Sequence, residues 1–273
     1  MKRAWSSQRG FTIIETVLFL GVTGLMIAAM FIGIGSSIGT QRYKDSVESF
    51  KATLQQQYSD VVNVYNGSES KRTCVIGSGG NLVVQQSQSG LSRGQARCEI
   101  LGRYVTVSTS GAIRTQTVLG IKSGVTGASG SDIDKLKAAY SFGVSGTEVE
   151  TSQMEWGTRL GWPQKSPVER QGSGDRSLAL LVLRSPETGG IYTFTGNDVY
   201  DTPTNARIKE LLVASTVAAS NATNFGRAQR LLCIDSDGLV LTATRGVYID
   251  AAAADSSAVR VALPTDFTGD ESC

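Results

Sequence analysis

The chain begins with a polar, basic stretch that gives way to a long apolar run. Residues 1–10 contain three basic side chains and no acidic one, and the positions from Phe11 to Ile32 are almost all apolar. A run of about 20 apolar residues is the length needed to cross a hydrocarbon core of roughly 30 Å as a helix. The basic residues before the run favour a cytoplasmic N-terminus and an exported body. The pattern therefore predicts a single-pass membrane helix.

After Ser36 the apolar positions recur at steps of mostly three and four residues, which is the period of one helix face. Gly67, directly after Asn66, is suited to a left-handed helix cap. We therefore expect one helix from about Phe11 to Asn66, and a coiled-coil dimer is the alternative use of the stripe. The stripe consists of Ile38, Tyr43, Val47, Phe50, Leu54, Tyr58, Val61 and Tyr65.

The remainder alternates short β-like runs with turn residues, which predicts an α+β fold with an antiparallel β-rich body. Gly102 is expected to be a turn between two strands, and Asp237-Gly238 is a strong hairpin signal. Two short helices are expected at Asp132–Tyr140 and Asn205–Ser215. The predicted strands are Thr73–Ile76, Leu82–Gln85, Ala96–Leu101, Tyr104–Thr109, Ala112–Leu119, Leu178–Arg184, Ile191–Thr195, Ala228–Ile234, Leu239–Thr244, Val247–Asp250 and Val259–Leu263.

A polar stretch rich in Pro, Gly and Ser, Pro163–Ser177, interrupts these runs and is expected to be a loop or linker. It either divides the body into two lobes or is a surface insertion in one elaborated body, and we favour the single body. Trp156 and Trp162 precede it and are expected to cover the core rather than to bind a ligand.

Composition argues against catalysis. The 273 residues include no histidine, which removes the commonest general base and zinc ligand. There is no phosphate loop or metal-ligand cluster, so we expect neither an enzyme nor a cofactor. The net charge of +2 provides no global attraction to nucleic acid.

The four cysteines are far apart and show no CxxC spacing, which favours an oxidised extracytoplasmic domain. Three pairings are possible, and reduced thiols are a further alternative. We favour Cys74–Cys98 and Cys233–Cys273, since each of these pairs closes a local loop.

Glu15 is the one acidic residue within the apolar run. A carboxylate there costs about 2–3 kcal/mol on insertion scales and usually marks a partner or a function. An ordinary secretory signal, cut near Ala28-Ala29, and an uncleaved signal anchor are two interpretations of the run. A cut between Gly10 and Phe11 is the third, and it makes Glu15 the fifth residue of the mature chain. Its carboxylate could then pair with the N-terminal amine of a neighbouring subunit.

The string Arg9-Gly10-Phe11-Thr12-Ile13-Ile14-Glu15-Thr16, followed by the apolar helix, resembles the type IV pilin and pseudopilin family. The close match covers roughly residues 9–35. The resemblance implies cleavage after Gly10 by prepilin peptidase, N-methylation of Phe11, and assembly with other pilin subunits through Glu15. It also implies a membrane assembly platform with its ATPase as partners. The second disulfide resembles the C-terminal disulfide loop of many pilins.

The expected organisation is a leader at 1–10, a membrane and filament-core helix at 11–35, an amphipathic continuation at 36–66, and a pilin body at 67–273. The chain would first occupy the cytoplasmic membrane as a single-pass protein and then a cell-surface pilus or a secretion pseudopilus. In this family an early helical segment can unwind during assembly. Gly21 and Gly24 are candidates for that, or else permit close helix packing.

Two ligands known in the family are kept as alternatives. Some pseudopilins bind calcium near the C-terminus, where this chain has seven acidic residues whose spacing does not match a full calcium loop. They are Asp235, Asp237, Asp250, Asp255, Asp266, Asp270 and Glu271. Some minor pilins bind DNA through C-terminal arginines, for which Arg227 and Arg230 are the candidates, although two phosphate contacts would contribute little.

Overall fold

The structure is a computed structural model that describes residues 12–63, 72–77, 81–86, 98–122, 129–166, 169–170, 175–213, 226–235, 245–262 and 273. Within these residues the chain forms three α-helices and thirteen β-strands. The helices are α1 (Ile13–Val62), α2 (Asp132–Ala139) and α3 (Asn205–Leu211). The strands are β1 (Arg72–Ile76), β2 (Leu82–Gln86), β3 (Glu99–Val107), β4 (Ala112–Lys122), β5 (Tyr140–Gln153), β6 (Arg159–Gly161), β7 (Gln164–Ser166), β8 (Glu169–Arg170), β9 (Leu178–Arg184), β10 (Ile191–Gly196), β11 (Arg230–Asp235), β12 (Arg245–Ile249) and β13 (Val259–Val261).

The chain divides into two compact units, residues 1–44 and residues 45–273. The unit that contains the body begins at Asp45, so it includes most of the segment 36–66, the expected amphipathic continuation of the helix. The reason is the apolar stripe of α1, whose members Val47, Phe50, Leu54, Tyr58 and Val61 are buried in the second unit. Helix α1 ends at Val62, and the predicted end at Asn66 lies outside the described residues.

A five-stranded antiparallel sheet in the order β10-β9-β3-β4-β5 is the centre of the body. Helices α2 and α3 pack on one face, where Ile133, Leu136, Ile208 and Leu211 join a buried cluster with side chains of the sheet such as Phe142. The other sheets are a four-stranded sheet in the order β13-β12-β11-β6 and two hairpins, β1-β2 and β7-β8. The α+β class with antiparallel sheets is confirmed.

Strand β3 corrects the prediction of two strands separated by a turn at Gly102. The strand is continuous from Glu99 to Val107, with an irregularity between Ile100 and Gly102. A Cβ on Gly102 would lie 1.9 Å from the carbonyl oxygen of Val182 on β9. Glycine is required here by close backbone approach between neighbouring strands rather than by a turn.

Three further predictions need correction. Strand β5 was not predicted at all, although it is the longest strand, with 14 residues. The stretch Pro163–Ser177 contains the paired strands β7 and β8 rather than loop alone. Trp156 lies in a short 3₁₀ turn with a left-handed φ of 59° and is 54% exposed, so it does not cover the core.

The other predicted elements fall close to the observed ones. Leu178–Arg184 is β9 and pairs with β10, as expected. Helix α2 begins at Asp132, and its cap is Ser131, whose hydroxyl accepts a hydrogen bond from the amide of Asp134. The predicted strand Leu239–Thr244 and the turn Asp237-Gly238 lie outside the described residues.

Candidate assembly site on α1

The first part of α1 exposes its apolar side chains. We call residues 13–35 the apolar segment; Glu15 is its one charged residue, and the next charge in the chain is Arg42. Among the described residues, α1 is the one helix long and apolar enough to cross a membrane. Large side chains on every side of it are exposed, Leu25 for example by 74%. A continuous apolar surface of this kind marks contact with lipid or with another protein.

The hydroxyl groups of the apolar segment are satisfied within the helix. Thr16 donates to the carbonyl oxygen of Ile13 at 2.8 Å, and Thr23 donates to that of Phe19 at 2.8 Å. Because these donors need no water, the two threonines are compatible with an apolar environment.

Glu15 lies in the first turn of α1, next to Thr12. The amide and the hydroxyl of Thr12 both donate to Oε2 of Glu15 at 3.4 Å, and the amide of Glu15 donates to the Thr12 hydroxyl at 3.3 Å. This reciprocal arrangement is a capping box. Its sequence signal, Thr-x-x-Glu before an apolar run, is present at these positions but was not among the predictions. Gly10 and Phe11, the expected cleavage and methylation residues, lie outside the described residues.

The glycines of the apolar segment do not interrupt α1, which is continuous from Ile13 to Val62. A Cβ added at Gly21, Gly24, Gly33 or Gly35 would meet no atom within 4 Å. In this structure, therefore, neither a break in the helix nor close packing within the chain requires glycine at these positions.

The later part of α1, residues 45–62, is bound to both larger sheets; we call it the packed segment. The hydroxyl of Thr193 on β10 donates to that of Tyr58 at 3.0 Å, and Arg103 on β3 forms an ion pair with Asp60 at 3.3 Å. Gln55 donates to the carbonyl oxygen of Val259 on β13 at 2.8 Å. These contacts hold the packed segment in place as part of the body.

Burial changes the acid–base behaviour of one tyrosine in the packed segment. Burial raises the pKa of Tyr58 to about 12, although the hydrogen bond from Thr193 lowers it, and the negative charge of Asp255 adds a smaller increase. The phenol is therefore neutral at physiological pH and acts as a hydrogen-bonding core residue.

All four cysteines are bonded in the structure, Cys74 to Cys98 and Cys233 to Cys273, the two pairs favoured from the sequence. The first bond links β1 to the residue directly before β3. Cys74 also packs with Leu82 and Leu119 in a small buried cluster. The second bond fixes Cys273 to β11.

The two arginines considered for DNA binding are both engaged within the body. Arg230 donates to the hydroxyl and the carbonyl oxygen of Thr195 at 3.3 and 3.1 Å, and the guanidinium of Arg227 lies 5.1 Å from the ring centroid of Tyr192. Burial lowers the pKa of Arg230. The pair is therefore poorly placed to follow a polymer of phosphates, which needs several exposed basic side chains.

No group of three or more metal-ligating side chains occurs in the part of the chain that the structure describes. Asp255 instead accepts a 2.7 Å hydrogen bond from the amide of Ser257, and Asp250 pairs with Arg260 at 3.6 Å. Four of the seven acidic residues considered for calcium lie outside the described residues, namely Asp237, Asp266, Asp270 and Glu271.

Comparisons of the chain with protein-family models, with curated proteins and with solved structures find no match.

Proposed function

We propose that this chain is the precursor of a subunit of a type IV pilin-like filament. In this proposal it is cleaved after Gly10, anchored by the apolar segment, and polymerised through that segment. The observation that carries the proposal is the exposed apolar segment with a single carboxylate in its first turn. The role assigned to the chain is structural: helices form the filament core and bodies form its surface.

The continuity of α1 and the fold class of the body both support this proposal. The helix is continuous from Ile13 to Val62, and its packed segment belongs to the body. Such a subunit can remain in the membrane until it is extracted and can then bury the same apolar surface against other copies. The α+β body with a long N-terminal helix is consistent with a pilin-like fold, which is part of the proposal.

Glu15 has a specific role in the proposed assembly. After cleavage, the amine of Phe11 would be a positive charge that a neighbouring copy can bring to the Glu15 carboxylate. In apolar surroundings such a pair is stronger than in water, and leaving the carboxylate unpaired there is costly. Each incoming subunit is thereby placed in register.

The test is Glu15→Ala, with Glu48→Ala as a matched control on the same helix. Glu48 is an exposed acidic residue of the packed segment, where it pairs with Lys51. We expect Glu15→Ala to be inserted and cleaved normally but to reduce the yield of sheared filaments at least tenfold. Glu48→Ala should assemble normally. The measurements are N-terminal sequencing of the mature protein and the amount of subunit in the sheared fraction.

Two results would count against the proposal. A mature chain that still begins with residues 1–10, or that begins beyond Ala29, would exclude cleavage before the apolar segment. Normal filament yield from Glu15→Ala would remove the role of Glu15 in register while leaving the cleavage site standing.

A further inference from the structure

Two arginines of the body approach each other where β9 and β10 meet β11. Arg176 lies just before β9, and Arg230 begins β11. Nε of Arg176 is 3.3 Å from Oδ1 of Asn197, and Nη1 of Arg230 is 3.4 Å from the same oxygen. One neutral amide oxygen therefore lies between two guanidinium groups.

The other hydrogen-bond acceptors of these arginines are also neutral. Arg176 donates to the carbonyl oxygen of Leu231 at 2.6 Å, and Arg230 donates to Thr195. No carboxylate of the described residues forms an ion pair with either guanidinium. A buried charge without a counter-charge is costly, because the protein replaces only part of its hydration.

The environment of Arg176 shows how far this charge is removed from water. Only 3% of the residue is exposed. Burial and, to a smaller extent, the positive charge of Arg230 lower the pKa of Arg176 to about 9. The guanidinium also lies 4.8 Å from the ring centroid of Trp162.

Trp162 adds another hydrogen-bond donor beside this pair. Its indole Nε1 is buried and has no acceptor within the described parts of the chain. Asn197 and Arg230 are partly exposed, whereas Arg176 is buried. The groups around this position thus supply excess positive charge and an N–H donor without an acceptor.

We propose that Arg176, Arg230 and Trp162 form a binding site for a small oxyanion of the phosphate or sulfate type. Guanidinium groups donate paired, charge-assisted hydrogen bonds to such oxygens, and a tetrahedral oxyanion has enough oxygens to contact both arginines. The anion supplies the negative charge that these buried arginines lack. None of these residues belongs to α1, so the proposal does not rest on the proposed filament assembly.

The first experiment measures thermal unfolding of the full chain in detergent at pH 7 and constant ionic strength. Replacing part of the chloride by 10 mM inorganic phosphate should raise the Tm by about 3 °C if the ion binds with a Kd of about 1 mM. Phenyl phosphate in a parallel series distinguishes the source of the ligand. A rise with both compounds indicates the end group of a larger molecule, and a rise with inorganic phosphate alone indicates the free ion.

Asn197→Asp is the decisive variant, because it places a carboxylate between the two guanidinium groups. We expect a higher Tm in chloride than for the original chain and no further rise with phosphate. Arg230→Gln should also lose the rise, since it removes one of the two guanidinium groups. Lys122→Gln is the control; Lys122 pairs with Glu187, which follows β9 whereas Arg176 precedes it, and its variant should keep the full response.

Two outcomes would overturn the proposal. One is an unchanged Tm of the original chain in phosphate and in phenyl phosphate. The other is an equal rise for the original chain, Asn197→Asp and Arg230→Gln, which would identify a general salt effect.

Discussion

The two parts of α1 share one helix but have opposite surroundings. In the apolar segment the side chains are apolar on every side and exposed, as Leu25 shows with 74% exposure. In the packed segment one stripe is apolar, and Leu54 on that stripe is fully buried. A helix that is apolar all round needs an apolar environment outside its own chain, whereas an amphipathic helix can bury its stripe within its own fold.

Under the proposed function, this difference separates the residues that stabilise the body from those that act in assembly, along one continuous helix. Substitutions in the packed segment act on the folding of the body, because its side chains fill the core. Substitutions in the apolar segment leave that core untouched and act on whatever surrounds the exposed helix. Matched substitutions in the two segments test this separation directly.

The largest difference is expected between Leu54→Ala and Leu25→Ala. Truncation of the buried Leu54 should lower the free energy of unfolding of the body by about 2–5 kcal/mol, because it opens a cavity. Leu25→Ala should change it by less than about 0.5 kcal/mol. Denaturant unfolding of the full chain in detergent, followed by near-UV circular dichroism, measures both. Similar losses for the two variants would contradict the separation.

A glycine pair gives the next largest contrast. Gly102→Ala should destabilise the body by about 3 kcal/mol, because the added methyl group would overlap the carbonyl oxygen of Val182. Gly24→Ala meets no atom and should increase helix stability by up to about 1 kcal/mol without changing body unfolding. Equal tolerance of alanine at both positions in the same unfolding assay would show that β3 and β9 can separate at no cost.

The smallest effect concerns pH and is confined to the body. The folded-state pKa of Tyr58 is raised to about 12 from an ordinary value of 10.0, and that of Tyr104 is also raised to about 12 by burial. Both phenols bind their protons more tightly when folded. This contribution to stability is therefore complete below pH 10 and is lost as the pH rises from 10 to 12.

Tyr58→Phe should lose stability less steeply over this interval than the original chain, by about 1 kcal/mol or more at pH 12. Its stability below pH 10 should be lower by about 1 kcal/mol, since the hydrogen bond from Thr193 is removed. Unfolding curves from pH 8 to pH 12 measure both quantities. Parallel curves for the two proteins would show that Tyr58 titrates alike in the folded and unfolded chains.

Periodic patterns in the sequence predicted α1, its buried stripe and the strands β9 and β10. Leu178–Arg184 is apolar at nearly every position, which is the pattern expected of a strand that is buried on both faces. The two bonded cysteine pairs also match the pairing favoured from the local loops they close.

Features that depend on distant contacts were missed. Tyr140–Gln153 contains two glycines and many polar residues, and it becomes β5 because it pairs along most of β4. Gly102 resembles a turn residue until β9 is known to approach it. The Arg176 and Arg230 pair joins residues more than 50 positions apart, and no local pattern connects them.

At the candidate assembly site, the sequence indicated Glu15 because a carboxylate is unusual in an apolar run. It did not lead us to the local partner, Thr12, although the spacing was available. Contacts within one helical turn can be predicted from the spacing of the residues. A partner in another subunit is suggested only by the free-energy cost of a carboxylate without a counter-charge in apolar surroundings.

The capping box at the start of α1 determines the free energy that Glu15 gains when it exchanges Thr12 for another hydrogen-bond donor. Its carboxylate already has two donors from its own chain, and both are long at 3.4 Å. A new donor therefore replaces weak bonds rather than rescuing a bare charge, and the net gain is the difference between the two arrangements. Under the proposed function, such an exchange is readily reversible, so a subunit in the membrane does not commit the one acidic group of its apolar segment before assembly.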